Sequence, residues 1–179
     1  MQSAMFPPRG GIDFDWALTA RLPTAIAGRD YWLSKRTGEG IPSRGDLKPT
    51  EMRTFLTHVG LIENKPASLG KRHYFIRQAG TRWEDVFGKM TGRFIDEFLP
   101  PEIETRWQSV FDQIWDAARP CVVRSSILFQ KKSWLAAEMF IAPLGDAGSD
   151  VSMLFMCFSV ESVSNDIDAP AWVRSGAGR

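Results

Sequence analysis

Residues 151–160, VSMLFMCFSV, are apolar at both alternating sets of positions. In an extended chain successive side chains point to opposite faces, so this segment suits only a strand buried on both sides, inside a sheet. The rest of the chain must supply neighbours for that strand and cover for it.

Two apolar runs precede it. Residues 121–130 (CVVRSSILFQ) and 133–144 (SWLAAEMFIAPL) read as strands, joined as a meander by turns at Lys131-Lys132 and at 145–150. Earlier, 59–64 (VGLIEN) and 72–79 (RHYFIRQA), separated by KPASLGK, read as a hairpin. Between hairpin and meander lies RQAGTRWEDVFGKMTGR, residues 77–93. Gly80 ends the strand, Thr81 and Glu84 have the spacing of a capping box, Gly88 suits a left-handed stop, and Thr91-Gly92 makes a turn. A helix so quickly opened and closed suits a chain that leaves one strand, crosses the sheet and returns to its edge. Residues 100–120 then form the clearest helix, with Ile103, Trp107, Val110, Phe111, Ile114 and Trp115 on one face and Pro120 as its stop. Towards the N-terminus, 16–22 reads as a short helix stopped near Pro23, and 25–36 as a helix anchored by Tyr31 and Trp32. Residues 41–49 read as a loop, and 49–60 as a helix begun by Pro49. The fold class is α+β: a five-stranded antiparallel sheet with helices on one face, and an N-terminal helical extension.

The 179 residues suit one domain, with 1–24 as the extension, 25–162 as the domain and 163–179, polar and Gly-rich, as a flexible tail. A net charge of +1 argues against nucleic acid as a partner. No apolar run reaches the roughly 18 residues that span a bilayer, and the N-terminus lacks a secretory pattern, so a cytoplasmic location is expected. Cys121 and Cys157 sit in apolar runs and read as buried thiols. They and the separated His58 and His73 give no metal-ligand spacing, so no metal site is expected.

The order of elements, with Tyr31-Trp32, Pro42-Ser43-Arg44, Asp46, Pro49, Arg77, Gly80-Thr81, Gly88 and Thr91-Gly92-Arg93, resembles a bacterial family of mostly single-domain PAS-like proteins over residues 28–160. The resemblance implies a sensory or signalling module that binds a small molecule or a protein partner. Flavin photosensors of this superfamily resemble one another in an Asn-Cys-Arg-Phe segment on the helix after the second strand. Here that helix reads TRWEDVFG, without cysteine, and neither histidine falls where haem-binding relatives place theirs. No cofactor is therefore expected, flavin and haem included. Output is expected to pass through a separate signalling protein, such as a histidine kinase, and the chain is expected to form a homodimer.

Candidate ligand-contacting residues are Arg77, Trp83, Trp107, Glu138 and Met139. Arg77 shares a strand face with Phe75. Turned inward it needs a partner, such as Glu84 or Glu138, or else serves an anionic ligand. Glu138 faces either a ligand or Arg124 on the neighbouring strand, and the cross-strand pair is preferred. Trp83 and Trp107 have the bulk to fill the space where other PAS domains hold a ligand. Arg44 and Asp46 read as ties between their loop and the helix at Pro49. A ligand-free dimerisation scaffold is the alternative. A small cone-shaped α+β enzyme ranks lower, because neither tyrosine nor histidine pairs obviously with a carboxylate.

Overall fold

In a computed structural model, residues 11–66, 70–126, 135–146 and 150–162 are described. The Lys131-Lys132 turn and the 163–179 tail lie outside them. Six strands, β1 (Ile12–Asp15), β2 (Val59–Asn64), β3 (Tyr74–Ala79), β4 (Cys121–Ser126), β5 (Leu135–Gly145) and β6 (Val151–Ser162), form one antiparallel sheet in the order β1-β4-β5-β6-β2-β3. The doubly apolar β6 lies inside, between β5 and β2. Its side chains alternate as their chemistry requires. Leu154, Met156 and Phe158 enter one core, and Phe155 and Cys157 the other.

Three helices cover the sheet: α1 (Pro23–Lys35), α2 (Thr81–Phe87) and α3 (Pro101–Ala117). They do not share a face. Trp83, Val86 and Phe87 of α2 and Val110, Phe111 and Ile114 of α3 join the first core, whereas Trp32 of α1 joins the second with Leu47, Met52 and Phe55. The cover is thus two-sided, as a strand apolar on both faces demands. Gly28 makes the second contact close, because a Cβ there would meet the Cβ of Cys157 at 2.2 Å.

Several local expectations are corrected. The sheet has six strands because the extension contributes β1, paired with β4, instead of a helix. Residues 16–22 turn where Asp15 Oδ1 accepts from Ala17 N at 2.9 Å and Leu18 takes a positive φ of 62°. Pro23 opens α1 and does not stop a helix before it. Residues 49–60 break into 3₁₀ turns at Pro49–Glu51 and Leu56–His58, and Met52, Phe55 and Val59 all turn into the second core. A tighter winding, with Phe55 N bonding Met52 O, keeps residues three apart on one side. α3 ends at Ala118, in left-handed conformation at φ 48°, two residues before Pro120. Asp46 accepts from Ser43 N and Oγ, and Arg44 donates to Leu47 O, so both close their own turn instead of tying it to Pro49.

The fold's principal buried polar contact ties the N-terminal segment to the sheet. Arg124 and Glu138 are directly opposite on β4 and β5, and both are buried. Arg124 Nε donates to Glu138 Oε2 at 2.8 Å, and the guanidinium also meets Asp13, Asp15 and the Thr19 carbonyl. The second Glu138 oxygen accepts from Arg21 N and Leu22 N, each at 2.7 Å. α1 has no side-chain cap of its own. The sheet supplies one, placing Glu138 beside its first residues and Ser159 Oγ on Ala25 N at 3.0 Å.

Arg124→Ala leaves the Glu138 carboxylate buried without its cation and is expected to cost on the order of 3–5 kcal/mol in urea unfolding. A loss within error would show that the α1 backbone alone holds Glu138. Cys121 and Cys157 are free and buried, and desolvation pushes both thiols up to about 12. This stabilisation of the neutral thiol is complete below the unfolded pKa of about 8.5 and is lost as pH rises towards the folded value. Native protein at pH 8 should leave both thiols unlabelled by a thiol reagent until it unfolds. Rapid native labelling would contradict their burial.

Candidate functional site

The space between α2, α3 and the sheet holds the candidate site. It begins at Gly80, the N-cap of α2, where the chain leaves β3 against the backbone of the turn before β2. A Cβ on Gly80 would lie 2.2 Å from the Thr57 carbonyl oxygen. The expected capping box is corrected here. Thr81 is the first helical residue, with no side-chain cap bond, and Glu84 reaches forward to accept from Met90 N and Thr91 N at 3.4 Å. The Thr91 backbone holds the Glu84 carboxyl below its usual range. Glu84 therefore shapes the exit from α2. Gly88 and Gly92, at φ 79° and 80°, supply the two reversals. The returning chain bonds the outer edge of β3, with Ile76 N on Arg93 O at 2.9 Å and Gly92 N on Ile76 O at 2.8 Å. The excursion thus also satisfies an edge strand.

Trp83 is buried inside this loop. Its Nε1 donates to the His58 carbonyl at 2.8 Å, and its ring stacks on Phe158 with centroids 4.6 Å apart. His58 Nδ1 donates to the Phe158 carbonyl at 2.8 Å. Beside Trp83 is a cavity of about 30 Å³, lined by Ile62, Ile76, Trp83, Phe87, Met90, Ile95, Phe98, Leu99, Trp107, Phe111 and Met156. None of these side chains ionises, the two indoles of Trp83 and Trp107 present no polar atom to the space, and the Trp83 N–H is already bonded. A second void of about 10 Å³ lies on the Gly60 side of Trp83 and shares Ile62, Ile76, Met90 and Met156. Pockets for drug-sized ligands span roughly 300–1,000 Å³. A flavin does not fit a space of this size, and α2 offers it no cysteine. Among the described residues, no group of three or more His, Cys, Asp or Glu is placed to hold a metal ion.

The five candidates separate. Trp83 and Trp107 line the cavity. Met139 is buried in the same core but outside the lining. Glu138 belongs to the ionic contact with Arg124. Arg77 points away from the core, is 61% exposed and meets Glu63 at 3.5 Å, not Glu84 or Glu138. α1 covers β5 and β6, so it leaves that outer face of edge strand β3 open. The Tyr31-Trp32 pair on α1 is structural: Trp32 Nε1 donates to Pro143 O at 3.0 Å, and Tyr31 donates to Glu51 at 2.9 Å. Ile62, Ile76, Phe87, Met90 and Met156 were not among the site candidates, although strand alternation places 62, 76 and 156 on one face.

The fold makes pairs that sequence distance concealed. His73 Nε2 donates to Asp96 at 3.0 Å, with its ring stacked on Phe94, and Tyr74 donates to Asp112 at 2.8 Å. Burial, then the Asp112 contact, raises the Tyr74 phenol well above its ordinary range. Neither pair borders the cavity. Both fasten β3 and its approach to the elements packed above.

Trp83→Ala removes one of the two tryptophans of the lining and should cost about 3–5 kcal/mol. Added indole should restore part of the lost thermal stability. An unchanged melting temperature would mean that Trp83 is not packed between α2 and Phe158.

A sequence profile for a PAS domain family matches residues 21–158. No curated protein sequence matches the chain. Among solved structures, the light state of the blue-light photoreceptor Aureochrome1 LOV is 16% identical with a TM-score of 0.41, over 65% of this chain and 89% of that one. An RNA-binding light-oxygen-voltage receptor is 15% identical with a TM-score of 0.39, over 68% of this chain and 36% of that one. With the family match spanning most of the described sheet and all three helices, the chain belongs to the PAS domain family.

Proposed function

We propose that the chain is a sensory PAS module that seats a small molecule between α2, α3 and the sheet. The observation that carries this reading is the apolar cavity beside Trp83, lined by residues within the segment that the family match covers. A ligand there touches α2, α3 and the central strand β6 together, so occupancy can bias how the helices sit on the sheet. The same reading takes output through a separate signalling protein such as a histidine kinase, with the chain as a homodimer in the cytoplasm. Among the described residues, no helix is long and apolar enough to cross a membrane.

We read the module as a sensor and not an enzyme. Its Tyr and His pairs with carboxylates lie away from the cavity, where no acid or base faces a bound molecule. A ligand-free scaffold is the second reading, favoured by a cavity of only about 30 Å³. Native mass spectrometry of protein purified from its own host, before and after denaturation, separates the two. Release of a stoichiometric small molecule is expected. Its consistent absence would favour the scaffold.

A further inference from the structure

We propose that β1 is exchanged between two copies of the chain, so that the β1 of each lies on the β4 of the other. This inference rests on the reading of the chain as a homodimer and adds the surface that joins the copies.

β1 is an end strand, and among the described residues β4 is its only partner in the sheet. What holds it there lies outside the link to α1. Four residue pairs, from Ile12–Ser125 to Asp15–Val122, form the ladder. Asp13 and Asp15 meet Arg124, and Arg106 Nη2 donates to the Gly11 carbonyl at 2.7 Å. On the other side of the link, the Thr19 carbonyl also meets Arg124, and Arg21 N and Leu22 N meet Glu138. Strand and helix are thus anchored separately on the sheet, and neither set of contacts requires the two to belong to one chain. The β1 of a second copy offers β4 the same ladder and the same two carboxylates, so exchange keeps what the closed form has.

The link is where the two forms differ. Trp16, Ala17 and Leu18 reverse the chain within three residues. Ala17 N bonds the Asp15 carboxylate, Leu18 N reaches the Asp15 carbonyl at 3.3 Å, and Ala20 N bonds the Leu18 carbonyl across a single residue at 2.9 Å. The reversal holds Leu18 at φ 62°, a left-handed conformation that its side chain disfavours. Short links under strain invite exchange, because opening the link releases the strain while the exchanged strand keeps its contacts. The arginines that reach the link, Arg119 at the Trp16 carbonyl and Arg29 at the Leu18 carbonyl, have long side chains that can follow it. Extended, three residues span about 10 Å, so the exchange draws the two β4 edges together.

The test pairs Ile12→Cys with Ser125→Cys, positions that face each other across the ladder within reach of a disulfide. After mild oxidation of the full chain at micromolar concentration, a non-reducing gel should show a covalent dimer. A covalent monomer, or no cross-link at all, would overturn the proposal. The link is tested separately, by light scattering of single variants. Leu18→Gly accepts the positive φ and should weaken the dimer about tenfold or more, because the strain is relieved in both closed chains. Leu18→Pro cannot adopt that φ and should strengthen the dimer. A dimer that neither substitution shifts is joined elsewhere, which overturns the exchange and leaves the homodimer standing. An unsubstituted chain that stays monomeric overturns both.

Discussion

The contact on which the rest of the structure depends is the buried pair of Arg124 and Glu138. It is not a simple gain in stability, since removing two ions from water costs much of what their attraction returns. Its value lies in what the remaining valences do. Arg124 gathers Asp13, Asp15 and the Thr19 carbonyl, and Glu138 binds the backbone that opens α1. One strand pair therefore aligns β1, the following turn and the start of α1. With Ser159 on Ala25, the sheet caps a helix whose own sequence carries no capping side chain.

That arrangement frees the other face. α1 and the 3₁₀ turns seal the second core, so the first core need only be closed by the excursion between β3 and α3. The excursion is short, and its glycines bend it back to bond the β3 edge. Trp83, Phe87 and Phe158 pack against one another in this core, and a small apolar space remains where α2, α3 and β6 meet.

Much of this was legible from residues alone where a local pattern meets a local cause. The interior position of β6 follows from apolar residues at both parities, and the limits of α2 from Gly80 and Gly88. Cross-strand pairing of Arg124 with Glu138 followed from their meander register. Arg77 misled because alternation assigns a face but does not say whether that face is covered. The 49–60 segment misled because Met52, Phe55 and Val59 have helical spacing, yet the chain winds into short 3₁₀ turns and enters β2 at Val59. Thr81 and Glu84 have capping-box spacing, yet Glu84 finds better donors ahead of it.

The sequence by itself determined the antiparallel α+β class, the strand that lies inside the sheet, the burial of both cysteines and the glycine-bounded crossing, because each depends on side-chain period or backbone freedom within a few residues. Only the tertiary structure decided that the N-terminal segment adds a sixth strand, that α1 lies opposite α2 and α3, that His73 and Tyr74 find carboxylates, and that Trp83 borders two small voids. Those outcomes depend on which distant surfaces compete for the same face of the sheet, and no spacing along the chain records that competition.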